Sequence, residues 1–202
     1  MGSVRLLFTA LIISAFFSAP ASADYRSTLF VPVGQRTLIL EAPLGMCFQS
    51  DQIQRVSSRQ VELATFIDCG RYEGDDEMPP VTGTISWMNP AIGETTAMSR
   101  PEYLDMREPS FRQYTEGSAA YDSNLKMDDK PRRSKNGISL GLAGEIHTDY
   151  DKLKGTTVIA TTTIRHIPVE IIIRYAGERA PSLERAYSLI DKFMAQQITL
   201  NE

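Results

Sequence analysis

Two cysteines, two histidines and one tryptophan are all that 202 residues offer of the side chains most used for metal and redox chemistry. There is no Cys-x-x-Cys pair, which excludes a dithiol redox motif. Cys47, Cys69, His147 and His166 would make four ligands, but neither pair has the spacing of a zinc site. Positive charge is in the minority, with 21 Lys and Arg against 25 Asp and Glu and a formal charge of −4. That removes the electrostatic footprint of a nucleic-acid partner or an anionic membrane surface. No P-loop, dinucleotide fingerprint or zincin helix is present, so no cofactor is expected. Long apolar runs are missing beyond residue 19, and none of the later ones, Ile171-Ile172-Ile173 included, exceeds three residues. No transmembrane segment is therefore expected past the N-terminus.

What is there begins with residues 1–23. Arg5 supplies a short positive n-region. Leu6 to Ala19 form an apolar run interrupted by hydroxyl residues, Pro20 ends it, and Ala21-Ser22-Ala23 supplies a small-residue cleavage box before Asp24. This is the pattern of a cleaved secretory signal of bacterial type, against the alternative of an uncleaved N-terminal anchor. Cleavage would leave a chain of formal charge −5, expected in the periplasm as one domain over residues 24–202. Cys47 and Cys69 both lie in that region. An even count in an oxidising compartment reads as a disulfide, and the alternative is two buried thiols that never meet.

Alternation and turn residues organise the rest. Leu29–Val33 and Thr37–Ala42 read as a hairpin with Gly34-Gln35 in its turn. Ile53 and Val56 are spaced as on a short helix, and Ala64–Cys69 and Val81–Met88 read as strands. Pro101–Tyr114 reads as a helix in two pieces broken at Pro109. Residues 117–136 form a polar stretch expected to be a flexible loop, and they carry Lys130, Arg132, Arg133 and Lys135. This basic cluster is a candidate partner-docking site, although Asp128 and Asp129 partly neutralise it. Ile138–Ile146, Thr156–Arg165 and Val169–Tyr175 follow as strands, the last apolar enough to be central. Ser182 caps a final helix whose stripe runs Leu183, Ala186, Tyr187, Ile190, Phe193, Met194 and Gln197, with Gln197 the one polar member.

Gly137-x-Ser139-x-Gly141, followed by Asp149 or Asp151 and then His166, matches the residue order of an α/β-hydrolase triad. Its context does not match. A nucleophile elbow needs a buried strand before the serine and a helix after it, whereas a polar basic loop precedes Ser139 and extended sequence follows. His147, Asp149 and Asp151 could place three ligands on one side of a strand, against a plain acidic turn before Gly155. Asp75, Asp76 and Glu77 lack the alternating ligands of a calcium loop.

Gly45-Met46-Cys47 after a strand-Pro turn, Phe66-Ile67-Asp68-Cys69 before a Gly-Arg step, and two strands followed by an amphipathic helix ending near Asn201 together resemble a family of uncharacterised secreted bacterial proteins. The end-pattern is also similar to the PsbP-like fold. The resemblance skips residues 75–135. It implies an α+β sandwich, a single domain with a mainly antiparallel sheet flanked by helices and the C-terminal helix packed on it. It also implies pairing of Cys47 with Cys69 and an accessory or binding role rather than an enzymatic one. The expectation is thus an exported soluble accessory protein that binds a periplasmic protein or envelope component and has no evident catalytic constellation. The alternatives are a small periplasmic hydrolase using Ser139 and His166, and a small-molecule or metal-binding module.

Overall fold

The computed structural model describes residues 25–49, 53–56, 61–69, 81–88, 98–118, 125–147, 152–178 and 180–202. The strands before the first helix are β1 (Tyr25–Arg26), β2 (Thr28–Val33), β3 (Arg36–Glu41), β4 (Met46–Gln49), β5 (Gln54–Val56), β6 (Val61–Asp68) and β7 (Val81–Met88). Helix α1 (Arg100–Ser118) is followed by β8 (Leu125–Met127), β9 (Arg132–Arg133), β10 (Ile138–His147), β11 (Lys152–Ile164) and β12 (Ile167–Ala176), and α2 (Leu183–Thr199) closes the fold. One antiparallel sheet runs β1-β4-β6-β7-β12-β11-β10-β8, with β5 added to β6 and β9 to β10; β2 and β3 form a separate hairpin. The protein is α+β, as expected.

Register sorts the side chains into two faces. Ala160 lies opposite Ile171, Ile171 opposite Ile85, Ile85 opposite Ala64, and Phe66 opposite Phe48. All of these point to the face covered by α2 and the β2–β3 hairpin, where Leu38, Leu40, Ile190 and Phe193 complete one core. Residues one position out of phase, Ile138, Leu140, Leu142 and Ile159, meet Tyr103, Leu104 and Phe111 of α1 in a second core on the opposite face. A strand's side chains alternate between faces, so one sheet serves both cores. Each fully buried Leu, Ile or Phe contributes about 1.5–3 kcal/mol. Phe66 stands edge-on to Phe48 at 5.9 Å and tilted against Phe193 at 5.8 Å, which ties β4, β6 and α2 together.

The helices have local causes. Ser182 caps α2 by accepting from the Arg185 amide at 3.4 Å. Ser99 and Glu102 form the glutamate half of a capping box for α1, with the Glu102 carboxylate accepting from the Ser99 amide at 2.8 Å and hydroxyl at 2.7 Å. Those bonds hold the Glu102 carboxyl below its ordinary range. Gln197, the odd member of the α2 stripe, is fully buried because its amide has backbone to pair with. It accepts from the Glu41 N–H at 3.0 Å and donates to the Glu41 carbonyl at 2.8 Å. Asn201 does the same for Ile39 at 2.9 and 2.8 Å. Two side-chain amides one helical turn apart thus stand in for a neighbouring strand and satisfy the outer edge of β3.

Three expectations change. Residues 54–56 form a short strand paired with β6, not a helix; two apolar residues are too few to distinguish the two periods. Helix α1 runs unbroken through Pro109, whose missing N–H leaves the Asp105 carbonyl without its helical donor, and both residues are exposed. Within the stretch read as a polar loop, residues 117–118 belong to α1, and 125–127 and 132–133 are strands on β10. The proposed signal, residues 1–23, lies outside the described residues.

Candidate functional site

The cysteines do meet. Cys47 and Cys69 are joined, with Cα atoms 5.2 Å apart, and among the described residues no free cysteine remains. Cys47 lies opposite Ile67, so Cys69 is its diagonal neighbour on the same face of the β4–β6 pair.

Ser139 and His166 do not meet. Ser139 sits within β10 opposite Ala160 and is buried on the face that α2 covers. His166 lies in the β11–β12 turn, exposed, with Nδ1 2.9 Å from the Met98 carbonyl oxygen. Four strand positions, about 13 Å, separate Ala160 from the end of β11 at Ile164, with the turn still beyond. No helix follows Ser139, so the nucleophile elbow is absent. Asp149 and Asp151 lie outside the described residues. The glycines of the motif have another cause. A Cβ at Gly137 would lie 2.5 Å from Met194 Sδ, and one at Gly141 would lie 2.7 Å from Leu183 Cδ2 and 3.0 Å from the Tyr187 hydroxyl. Gly-x-Ser-x-Gly is the track along which α2 lies down on β10. Among the described residues, no three His, Cys, Asp or Glu side chains gather as a metal site needs.

The basic cluster divides. Successive residues of β9 point to opposite faces, and each arginine finds a helix there. Arg132 forms a two-pronged pair with Glu184 of α2 at 2.7 and 2.5 Å, and its guanidinium lies 4.0 Å from the centre of the Tyr187 ring. Arg133 reaches α1, at 2.6 Å from Asp105 and 2.7 Å from Glu108. The pairing raises both guanidinium pKa values and holds the Glu184 carboxyl low. Two of the four residues expected to dock a partner therefore staple the helices onto the sheet; Lys130 and Lys135 stay exposed.

A different basic site forms where the start of β3, the β11–β12 turn, the start of α1 and the end of α2 meet. Arg36 opens β3, Arg165 and His166 make the β11–β12 turn, Arg100 starts α1, and Asn201 and Glu202 follow α2. Together they line a cleft of about 680 Å³. Arg36 Nη1 donates to the Arg165 carbonyl. Arg165 Nε donates to the Asn201 carbonyl at 2.5 Å, and its Nη1 donates to that of Thr37 at 3.2 Å. Arg100 Nε donates to the Thr163 carbonyl at 3.2 Å, with its Nη2 3.6 Å from Glu202. Backbone carbonyls thus hold three guanidinium groups in place. The turn itself is strained, since Arg165 and His166 have φ of 49° and 65°, a two-residue geometry that ordinarily selects Asn and Gly. That mismatch is the one signal residue order offers for the site: Arg-His between two strong strands, where turn chemistry asks for something smaller.

No protein-family model matches the sequence, and no curated protein matches it. Among solved structures the chain is similar to that of a point mutant of the protein Mog1, with a TM-score of 0.44 and 11% identity over 86% of this chain and 94% of that one. A likeness so distant carries no argument about function.

Proposed function

We propose that the chain is an exported accessory protein of the bacterial periplasm, released from its signal after Ala23, that holds its partner at the cleft of Arg36, Arg100, Arg165 and His166. The observation that carries this reading is the gathering of three backbone-anchored arginines at a strained turn, in a chain whose formal charge is negative. The formed disulfide agrees with an oxidising compartment. Among the described residues no helix is long and apolar enough to cross a membrane. The helix-flanked sheet agrees with the sandwich that the PsbP-like resemblance implies, a fold whose members serve mostly as accessory and binding proteins.

Site-specific photo-crosslinking in intact cells tests the reading. A photoreactive residue at position 101, exposed on the rim of the cleft, is expected to give a discrete adduct, and one at position 130 none. An adduct from position 130 alone would return the docking site to the basic stretch of 130–135.

A further inference from the structure

Resting on the binding role proposed above, we infer that the cleft recognises a phosphate dianion. Charge comes first. Three arginines against Glu202 leave two net positive charges among these four side chains of the lining, and Glu102 is turned onto the amide and hydroxyl of Ser99. A phosphate monoester carries about −1.5 to −2 at neutral pH, whereas one carboxylate carries at most a single negative charge. Geometry comes second. Each arginine spends part of its fork on a main-chain carbonyl, and among the described residues Arg36 Nη2 and Arg165 Nη2 have no partner. A guanidinium fixed along one edge presents its remaining N–H groups with little rotamer freedom left to lose, which favours tetrahedral oxyanions with several acceptor oxygens. Third, the cleft already holds an anion of its own. The Glu202 carboxylate lies 3.6 Å from Arg100 and is 70% exposed, a weak screened pair that a dianion can displace.

The same headgroup chemistry occurs on soluble phosphomonoesters and on anionic lipids. The experiment is an amide NMR titration of the chain isolated from periplasm, at constant ionic strength, with inorganic phosphate, glycerol phosphate, succinate and acetate. Flotation with vesicles of phosphatidic acid in phosphatidylcholine, and of phosphatidylcholine alone, runs beside it. Phosphate and glycerol phosphate are expected to shift the amides of Arg165 and His166 and to bind more tightly than either carboxylate. Arg36→Gln and Arg100→Gln should each weaken phosphate binding about tenfold. Glu202→Gln should strengthen it about threefold, a gain that misfolding cannot imitate. Flotation with phosphatidic acid alone assigns the source as a lipid headgroup, and its absence with phosphate still bound assigns a soluble phosphomonoester. Succinate or acetate binding as tightly as phosphate overturns the assignment. So does phosphate affinity indifferent to all three substitutions. If no anion binds while the crosslink at position 101 persists, the phosphate assignment fails and the binding role stands. Phosphate binding with no crosslink does the opposite: the anion site stands and the held partner is lost.

Discussion

Tyr187 carries more than its share of the structure through one oxygen. Its hydroxyl donates to Asp128 Oδ2 at 2.9 Å and accepts from the Gly141 amide at 2.7 Å, while its ring lies under Arg132. The residue is 5% exposed. Burial, followed by the hydrogen bond to Asp128, pushes its pKa up to about 12 from 10.0. The proton is therefore held more tightly in the folded chain than in the unfolded one. Stability tied to it is fully present below about pH 10 and drains away as pH rises from 10 towards 12. Tyr187→Phe is expected to cost about 1–3 kcal/mol at neutral pH, because the Gly141 amide loses its acceptor in a buried place. It should also abolish the tyrosine's part of the alkaline decline. Urea unfolding followed from about pH 7 to 11 checks both, and an unchanged alkaline slope in the variant would assign that slope to other groups.

At the scale of elements, the contact of α2 with β10 decides how a familiar motif should be read. If Gly137 and Gly141 exist to admit the helix, Gly141→Ala should destabilise by about 1–3 kcal/mol, since its Cβ must displace Leu183 and Tyr187. Ser139→Ala, between them, should cost much less. Thermal unfolding of the two variants checks this, and a larger loss from Ser139→Ala would mean that the serine, not the glycine spacing, is the constrained feature. Much of this scale is legible from residue order alone. The alternation in β11 and the near-continuous apolarity of β12 mark them as strands, the second as central with at least one face buried, and Ser182 with the α2 stripe marks the closing helix. The sites are less legible, because residue order does not say which face a side chain takes or what waits there. Arg132 and Arg133 look like a docking patch until β9 sends one to each helix. Gln197 looks like a flaw in an apolar stripe until the bare edge of β3 is set against it. Arg36, Arg100 and Arg165 lie up to 129 positions apart and form no motif; only the folding of three element ends to one corner makes them neighbours. Ser99 and Glu102 are the exception, since Ser-x-x-Glu before a helix can be found by spacing.

Over the whole molecule, the cross-link and the cleft occupy opposite ends of one sheet. Cys69 follows Asp68 at the end of β6 that aligns, through β7, with Thr82 and Arg174, whereas Arg165 and His166 turn the chain at the other end of β12. The separation is close to nine strand positions, about 30 Å. A covalent bond there closes a loop spanning 22 residues and stabilises chiefly by restricting the unfolded chain, by roughly 3 kcal/mol on the chain-entropy estimate. It tethers β4, on the edge side of β6, where among the described residues only the two of β1 lie further out, and neither cysteine lines the cleft. Stability and recognition should therefore separate. Replacing both cysteines by alanine is expected to lower the free energy of unfolding by roughly 3 kcal/mol, read from urea midpoints at unchanged slope. The folded fraction should keep its phosphate affinity within about twofold, because distant sites with no shared partners behave additively. A parallel loss of affinity in the folded double variant would show instead that strain at the disulfide end is transmitted along the full length of β12 to the Arg165–His166 turn.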